Sequence, residues 1–347
     1  MLGGGVFVTQ DKVLPGSYIN FVNTANANSG LGERGIVAIV LEIGKDPGKV
    51  IELSKADFYS DSETILGVET NDAKVEPLRE IFLHADKVFI YDLGGETELT
   101  IENALEALEP YEFNVVCAYT NDSASTTTYI EKVIEWRDTL GKKCQVVVYN
   151  DTGANKHEGV INVVSTVEGG ETPHALVAWV AGLEASCPIN KSCTNALYDG
   201  EYEVVTDKTQ VELEECISNG QLVLHRVYGE VRVLEDINTL TDVTDSKGED
   251  FKYNQTIRVL DQIANDISKL FNTKYIGKIP NNAAGRTSFW GDIVAHHKQL
   301  EAISAIEKFD SSLLTVEQGA TKKSIVVHDA ITVINSMTQL YMTVVVK

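Results

Sequence analysis

The sequence predicts a multidomain protein of mixed α/β and α+β class, and three observations carry that reading. Residues 87–186 alternate strand-like and helix-like segments in regular order, the pattern of a parallel sheet covered by helices. Residues 251–308 hold two long amphipathic periodicities. The run from Leu340 to Val346 is apolar and rich in β-branched residues, which suits a strand that needs a partner.

The elements follow in chain order. Gly3, Gly4 and Gly5 are expected to supply flexibility at the beginning. Pro15-Gly16-Ser17-Tyr18-Ile19-Asn20-Phe21 reads as a turn and a strand, so residues 1–22 are expected to form an arm. Residues 23–86 are expected to form a β-rich domain. Gly35 to Leu41 is a continuous apolar run suited to a buried strand, and Val50 to Leu53 is a second strand. One helix is expected near Val75 to His84.

Residues 87–240 are expected to form the α/β domain. Its strands are Val88–Tyr91, Val115–Ala118, Val146–Tyr149 and Val160–Val164. Thr100 can N-cap a helix that Pro110 stops, and a second helix runs from about Thr127 to Leu140, ended by Gly141. Thr172-Pro173 has the chemistry of a third helix start. Leu222–Leu224 and Val231–Leu234 flank Tyr228-Gly229-Glu230 as a hairpin.

Residues 241–347 complete the chain. Leu260, Ile263, Ala264, Ile267, Leu270 and Phe271 define the apolar stripe of one helix. Trp290, Ile293, Val294, His297 and Leu300 define a second, with Asn281, Asn282 and Gly285 breaking the chain between them. Ser324–Val327 and the terminal run supply strands.

Charge narrows the function. The 347 residues carry a net charge of −22. Residues 1–250 hold 43 acids and 18 bases, whereas residues 251–347 hold 8 acids and 11 bases. An acidic surface repels phosphate, so nucleic acid is not an expected partner. No apolar run reaches the ~18 residues of a spanning helix, and no secretory signal or membrane insertion is expected. Five irregularly spaced cysteines fit a reducing compartment.

The motifs of chemistry are missing or mis-spaced. Gly44 to Lys49 has three residues between its glycines where a phosphate loop needs four, and Val50 stands where Ser or Thr is required. Gly94-Gly95 lacks the dinucleotide pattern. His296 and His297 diverge by about 100° on a helix and cannot share a metal as an i, i+4 pair does. Cys187 and Cys193 have no matching pair for zinc. No nucleophile elbow accompanies the seven histidines. Neither catalytic residue, cofactor nor metal is therefore expected.

Several blocks carry a family likeness. They are Asp236-Ile237-Asn238-Thr239-Leu240-Thr241, Ile257 to Ile267, Tyr275-Ile276-Gly277-Lys278 and Leu340 to Val346. Pro15 to Phe21, Gly32-Glu33-Arg34-Gly35 and Trp179-Val180-Ala181-Gly182 join them upstream. In content and order the chain resembles the contractile tail sheath proteins, most of all the short sheaths of Gram-positive myophages, defective prophages and phage-tail-like bacteriocins. The resemblance implies a subtilisin-like α/β domain without protease activity. It implies a subunit that polymerises helically around an inner tube and contracts to drive the tube through a target envelope.

The implied partners are other copies of the chain, the inner tube protein, and baseplate and tail-terminator proteins. The implied location is a virion tail or bacteriocin particle assembled in the host cytoplasm. Terminal arms that exchange strands between subunits would comprise Val6, Phe7, Tyr18, Ile19 and Phe21 at one end. Tyr341, Met342, Thr343, Val344, Val345 and Val346 would form the other. Lys278, Arg286, Lys298 and Lys308 become candidates for facing the tube. Two rival readings stand beside this one: an α/β enzyme or small-ligand binder using the 87–186 sheet, and the sheath of a related injection system.

Overall fold

The computed structural model describes residues 31–346, apart from 96–97, 153–155 and 170–171. Chain order begins with strand β1 (Ile36–Leu41), strand β2 (Val50–Ser54), helix α1 (Lys55–Leu66) and helix α2 (Glu76–His84). Then come β3 (Lys87–Asp92), α3 (Ile101–Leu108), β4 (Val115–Cys117), α4 (Ser123–Glu135), β5 (Gln145–Tyr149) and β6 (Val160–Val163). Helices α5 (Leu176–Ser186) and α6 (Gln210–Ser218) precede β7 (Gln221–Leu222), β8 (Leu224–Val227) and β9 (Glu230–Val233). The chain closes with α7 (Asn254–Leu270), α8 (Ala283–Ala302), β10 (Thr315–Gln318) and β11 (Ile325–His328).

Seven strands form one sheet in the order β2-β3-β1-β4-β5-β6-β7. All neighbours run parallel except β2, which lies antiparallel to β3. Strand β1 shows why its run is apolar at every position. Val37, Ile39 and Leu41 enter one core with Phe58, Phe82 and Trp179, while Ala38 and Val40 enter the opposite core with Leu105, Ile130 and Trp136. Helices α1, α2 and α5 cover the first face, and α3 and α4 the second. Helix α5 is buried nearly all round, and at Gly182 it lies against α2. A Cβ there would sit 2.5 Å from the Ile81 carbonyl oxygen, so a larger residue would push the helices apart.

Local signals explain the boundaries. Thr100 and Asn103 form a reciprocal capping box at α3. Asp122 caps α4, and Gly141 ends its last, π-type turn in the left-handed region. The hairpin β8–β9 turns at Tyr228 and Gly229, both with positive φ, as a two-residue turn requires.

Three expectations need correction. Residues 31–86 are not a separate β-rich domain: β1 and β2 both belong to the seven-stranded sheet, with β1 between β3 and β4, and two helices outweigh the two strands here. Helix α5 starts at Leu176 after a turn, rather than on a Thr172 cap. Residues 334–346 adopt no strand, because the described chain offers that run no ladder partner. The arm at 1–22, with Val6, Phe7, Tyr18, Ile19 and Phe21, lies outside the described residues.

A third core joins α7 and α8 to the segment after them, through Val259, Tyr275, Phe289, Ile293, Leu300, Phe309 and Leu314. Strands β10 and β11 form a separate two-stranded antiparallel ribbon beside it.

Candidate assembly surfaces

Helix α7 meets the sheet domain through a polar, not an apolar, face. Arg258 Nη2 lies 2.5 Å from Glu184 Oε2, 3.3 Å from Asp236 Oδ2 and 3.6 Å from Cys193 Sγ. The three charged side chains are each 1% exposed. Burial pushes the Glu184 carboxyl well above the usual carboxylate range, and neighbouring Asp236 adds to that. Burial opposes ionisation of Asp236 as well, but Arg258 together with hydrogen bonds from Glu184 and the Cys193 amide outweighs it and holds that carboxyl low. Asp236 therefore carries the negative charge that Arg258 balances. One turn along, Arg137 grips Asp261 through two bonds of 2.6 and 2.9 Å and donates to the Cys144 carbonyl. Arg34 donates to the Glu184 and Cys187 carbonyls, and burial together with Arg258 lowers its pKa to about 10.

These groups bolt the C-terminal helices to the sheet and leave no room for a metal. Ligand-type atoms of Glu184, Cys193 and Asp236 lie within 4.8 Å of one another, but the Arg258 guanidinium fills their centre. Asp138, His157 and Glu158 form a second such group among the described residues. There His157 Nδ1 accepts from Gly159 N, so Nε2 carries the proton and points at Asp138. Lys247 Nζ sits 2.7 and 2.8 Å from the Glu158 carboxylate. Each group already has an internal cation on its carboxylates, Arg258 in the first and Lys247 in the second, and Asp138 remains half-exposed.

The C-terminal tail is different in kind. Residues 331–334 still pair along the loop after α8: Glu307 N donates to Thr332 O, and Ile334 N to Ala305 O. Gln255 and Thr256 on α7 then hold Ile334, Asn335 and Ser336. Beyond that anchor the side chains stand in solvent. Tyr341 is 88% exposed, and Leu340, Met342, Val344, Val345 and Val346 are at least 70% exposed. Apolar residues so placed leave an unfilled demand for a partner. Thr343 is likewise exposed. The β10–β11 ribbon has open backbone edges of its own: among the described residues neither of its outer edges is paired with another strand.

The four candidate cations fall into two groups. Lys278 bonds the Thr273 carbonyl, and Arg286, on the first turns of α8, bonds Asn281. Asn281 also holds the Lys322 and Ser324 carbonyls in the β10–β11 turn, which brings exposed Lys322 and Lys323 to the same end. Sequence reasoning passed over that pair, although two adjacent lysines in a turn are visible in it. Lys298 lies about 18 Å further along α8 and pairs with Glu301 at 2.6 Å. Lys308 is exposed near that second end. Between Arg286 and Lys298 the exposed positions of α8 are Thr287, Ser288 and Ala295, with Gly291 half-exposed, a small-residue, nearly uncharged stretch. No helix among the described residues is long and apolar enough to cross a membrane.

Comparison with known proteins gives this arrangement a context. Residues 94–239 match the family described as phage tail sheath protein central domain, and residues 246–347 match the phage tail sheath C-terminal domain. A tail sheath protein of Clostridium phage phiCD119 is 29% identical over 86% of this chain and 82% of its own length. The uncharacterized protein YqbK of Bacillus subtilis is 36% identical over 51% of this chain, and the match spans 40% of YqbK. Among solved structures, a sheath tail protein from Desulfitobacterium hafniense superimposes with a TM-score of 0.77 at 25% identity, covering 94% of this chain and 99% of that one. The helical sheath of the anti-feeding prophage in its contracted state shares the fold, with a TM-score of 0.70 at 14% identity, over 97% of this chain and 99% of that one.

Proposed function

Because the chain belongs to the phage tail sheath family, we propose that it is the structural subunit of a contractile tail sheath, polymerising around an inner tube and contracting to drive that tube through a target envelope. One observation carries the reading into mechanism: an apolar, β-prone tail stands in solvent on the same domain as a two-stranded ribbon with two open edges. A tail strand from one subunit completes the ribbon of the next. Strand addition supplies directional backbone hydrogen bonds, each worth about 0.5–1.5 kcal/mol net. A single link of four bonds is weak, but a lattice makes many, so the sleeve holds together by multivalency. Residues 1–22 act as the second donor, since the ribbon has an edge on each side.

The buried bolts fix what moves. Arg258 and Arg137 join α7 to the sheet inside one subunit, so a change of lattice repacks whole subunits as rigid bodies while the strand links persist. No nucleotide is consumed, because the energy is stored when the extended sleeve is built. The α8 face, with Lys278 and Arg286 at one end and Lys298 and Lys308 at the other, rests against an acidic tube. Exposed contacts of about 0–1 kcal/mol each hold register and still release. Baseplate and terminator proteins would meet the two ends of the sleeve. The particle is a phage tail or a phage-tail-like bacteriocin, assembled in the host cytoplasm. Negative-stain microscopy of the purified chain tests the reading: it predicts rings or sleeves, and a discrete monomer that binds a small ligand saturably contradicts it.

A further inference from the structure

Helix α8 carries two adjacent buried histidines, His296 and His297, and the rings meet different elements. His296 Nε2 lies 2.9 Å from Asp266 Oδ2 on α7. His297 Nε2 lies 2.7 Å from Asp329 Oδ2, in the segment just after β11. Asp266 also accepts from Gly32 N at 3.1 and 3.2 Å and from Gln262 Nε2. A Cβ on Gly32 would sit 2.6 Å from Asp266 Oδ1, so only glycine lets the chain come this close. Asp329 leads directly into residues 331–336, the anchor of the C-terminal tail. The two Nδ1 atoms face each other at 3.4 Å.

Counting protons on this arrangement gives a definite answer. A carboxylate only accepts, so each Nε2 must carry a proton. Two Nδ1 atoms in contact hold one proton between them, donated by one ring to the lone pair of the other. Three protons on four nitrogens make one imidazolium and one neutral imidazole, a single positive charge between two carboxylates. A second added proton sets two N–H groups against each other, and removing the shared one sets two lone pairs against each other. The groups facing the pair are Asp266 from α7, which Gln262 bonds in turn, Asp329 from the segment after β11, and the Phe309 ring, 4.7 Å from His297.

We propose that His296 and His297 form a singly protonated pair that ties the root of the N-terminal segment, at Gly32, to the root of the C-terminal tail, at Asp329. Loosening one root weakens the grip on the other. The inference concerns a single chain and does not depend on assembly.

The test uses the purified full chain with labelled histidine. Long-range nitrogen–proton correlation at about pH 7 is expected to find three protonated ring nitrogens and one bare nitrogen in the pair. Two neutral rings or two charged rings overturn the proposal. The Asp329→Asn variant supplies a second readout, because it keeps an acceptor for His297 and removes only the charge. The Asp329 side chain is 26% exposed, so the exchange is mild. The His296 ring signals are expected to shift, and the Gly32 amide to exchange with solvent about tenfold faster. Changes confined to residues 325–334, or an unmoved His296 ring, overturn the coupling. Should the variant fail to fold, the proton count in the unaltered chain decides alone.

Discussion

Arg258 and Glu184 meet at 2.5 Å with both side chains 1% exposed, although 74 residues separate them in the chain. This contact, with Asp236, makes α7 part of the sheet domain rather than a loosely docked helix. A buried ion pair adds little net stability over an apolar replacement of both partners, yet losing one partner strands a charge. Replacing Arg258 with Met is therefore expected to destabilise the subunit by about 3–5 kcal/mol. Urea unfolding measures the effect, and a cost below about 1 kcal/mol would show that Asp236 finds another counter-charge.

Acid should act through His157. Burial holds its pKa below the usual value, against the pull of Glu158 and Asp138. A depressed base stabilises the fold fully above its unfolded value of about 6.5 and loses that contribution as pH falls through the folded value. The stability advantage of the unaltered chain over His157→Asn is thus expected to shrink between about pH 7.5 and pH 5. Glu158 adds a lower step. Burial opposes its ionisation, but Lys247, His157 and Arg137 together outweigh burial and hold it below the usual range, so its contribution is lost below about pH 4.5. Unfolding midpoints across this range check both steps, and a constant difference speaks against the first.

Charge reversal tests the tube-facing surface. Lys278→Glu with Arg286→Glu removes two exposed or half-exposed cations at one end of α8. The expected result is an unchanged fold and poorer assembly on isolated tubes, with the defect largest at low salt. Lys298→Glu adds repulsion from Glu301, at the other end. Undiminished tube-bound assembly at low salt would remove α8 from the tube interface.

The sheet was readable in the sequence because its strands are buried on both faces. A run such as Ile36 to Leu41 has no polar position to confuse the reading. Helices α1 and α6 were not readable by period: α1 buries only Phe58, Ser62 and Leu66, and α6 only Cys216. Their caps were visible, Ser54 before Asp57 and Thr209 before Glu212, and offered a better signal than hydrophobicity.

Helix α7 shows a deeper limit. Its existence followed from Leu260, Ile263 and Ile267, yet those residues are half-buried, while Arg258, Asp261, Gln262 and Asp266 are buried beside Ile257 and Val259. Polar residues lie inside because their partners come from 74 and 124 residues away, a pairing no local pattern reveals. The tail is the converse case. Its β propensity was plain, but a strand exists only with a neighbour, and a single chain has none to give it.

The account rests on that tail, and removing it is the most direct measurement. A chain ending at Ser336 keeps the anchor on Gln255 and Thr256, and the described residues it loses, 337–346, are all exposed. It is expected to unfold at the same denaturant midpoint as the full chain, and to form no sleeves under the electron microscope. Sleeves of ordinary length from the truncated chain would contradict strand donation by the tail.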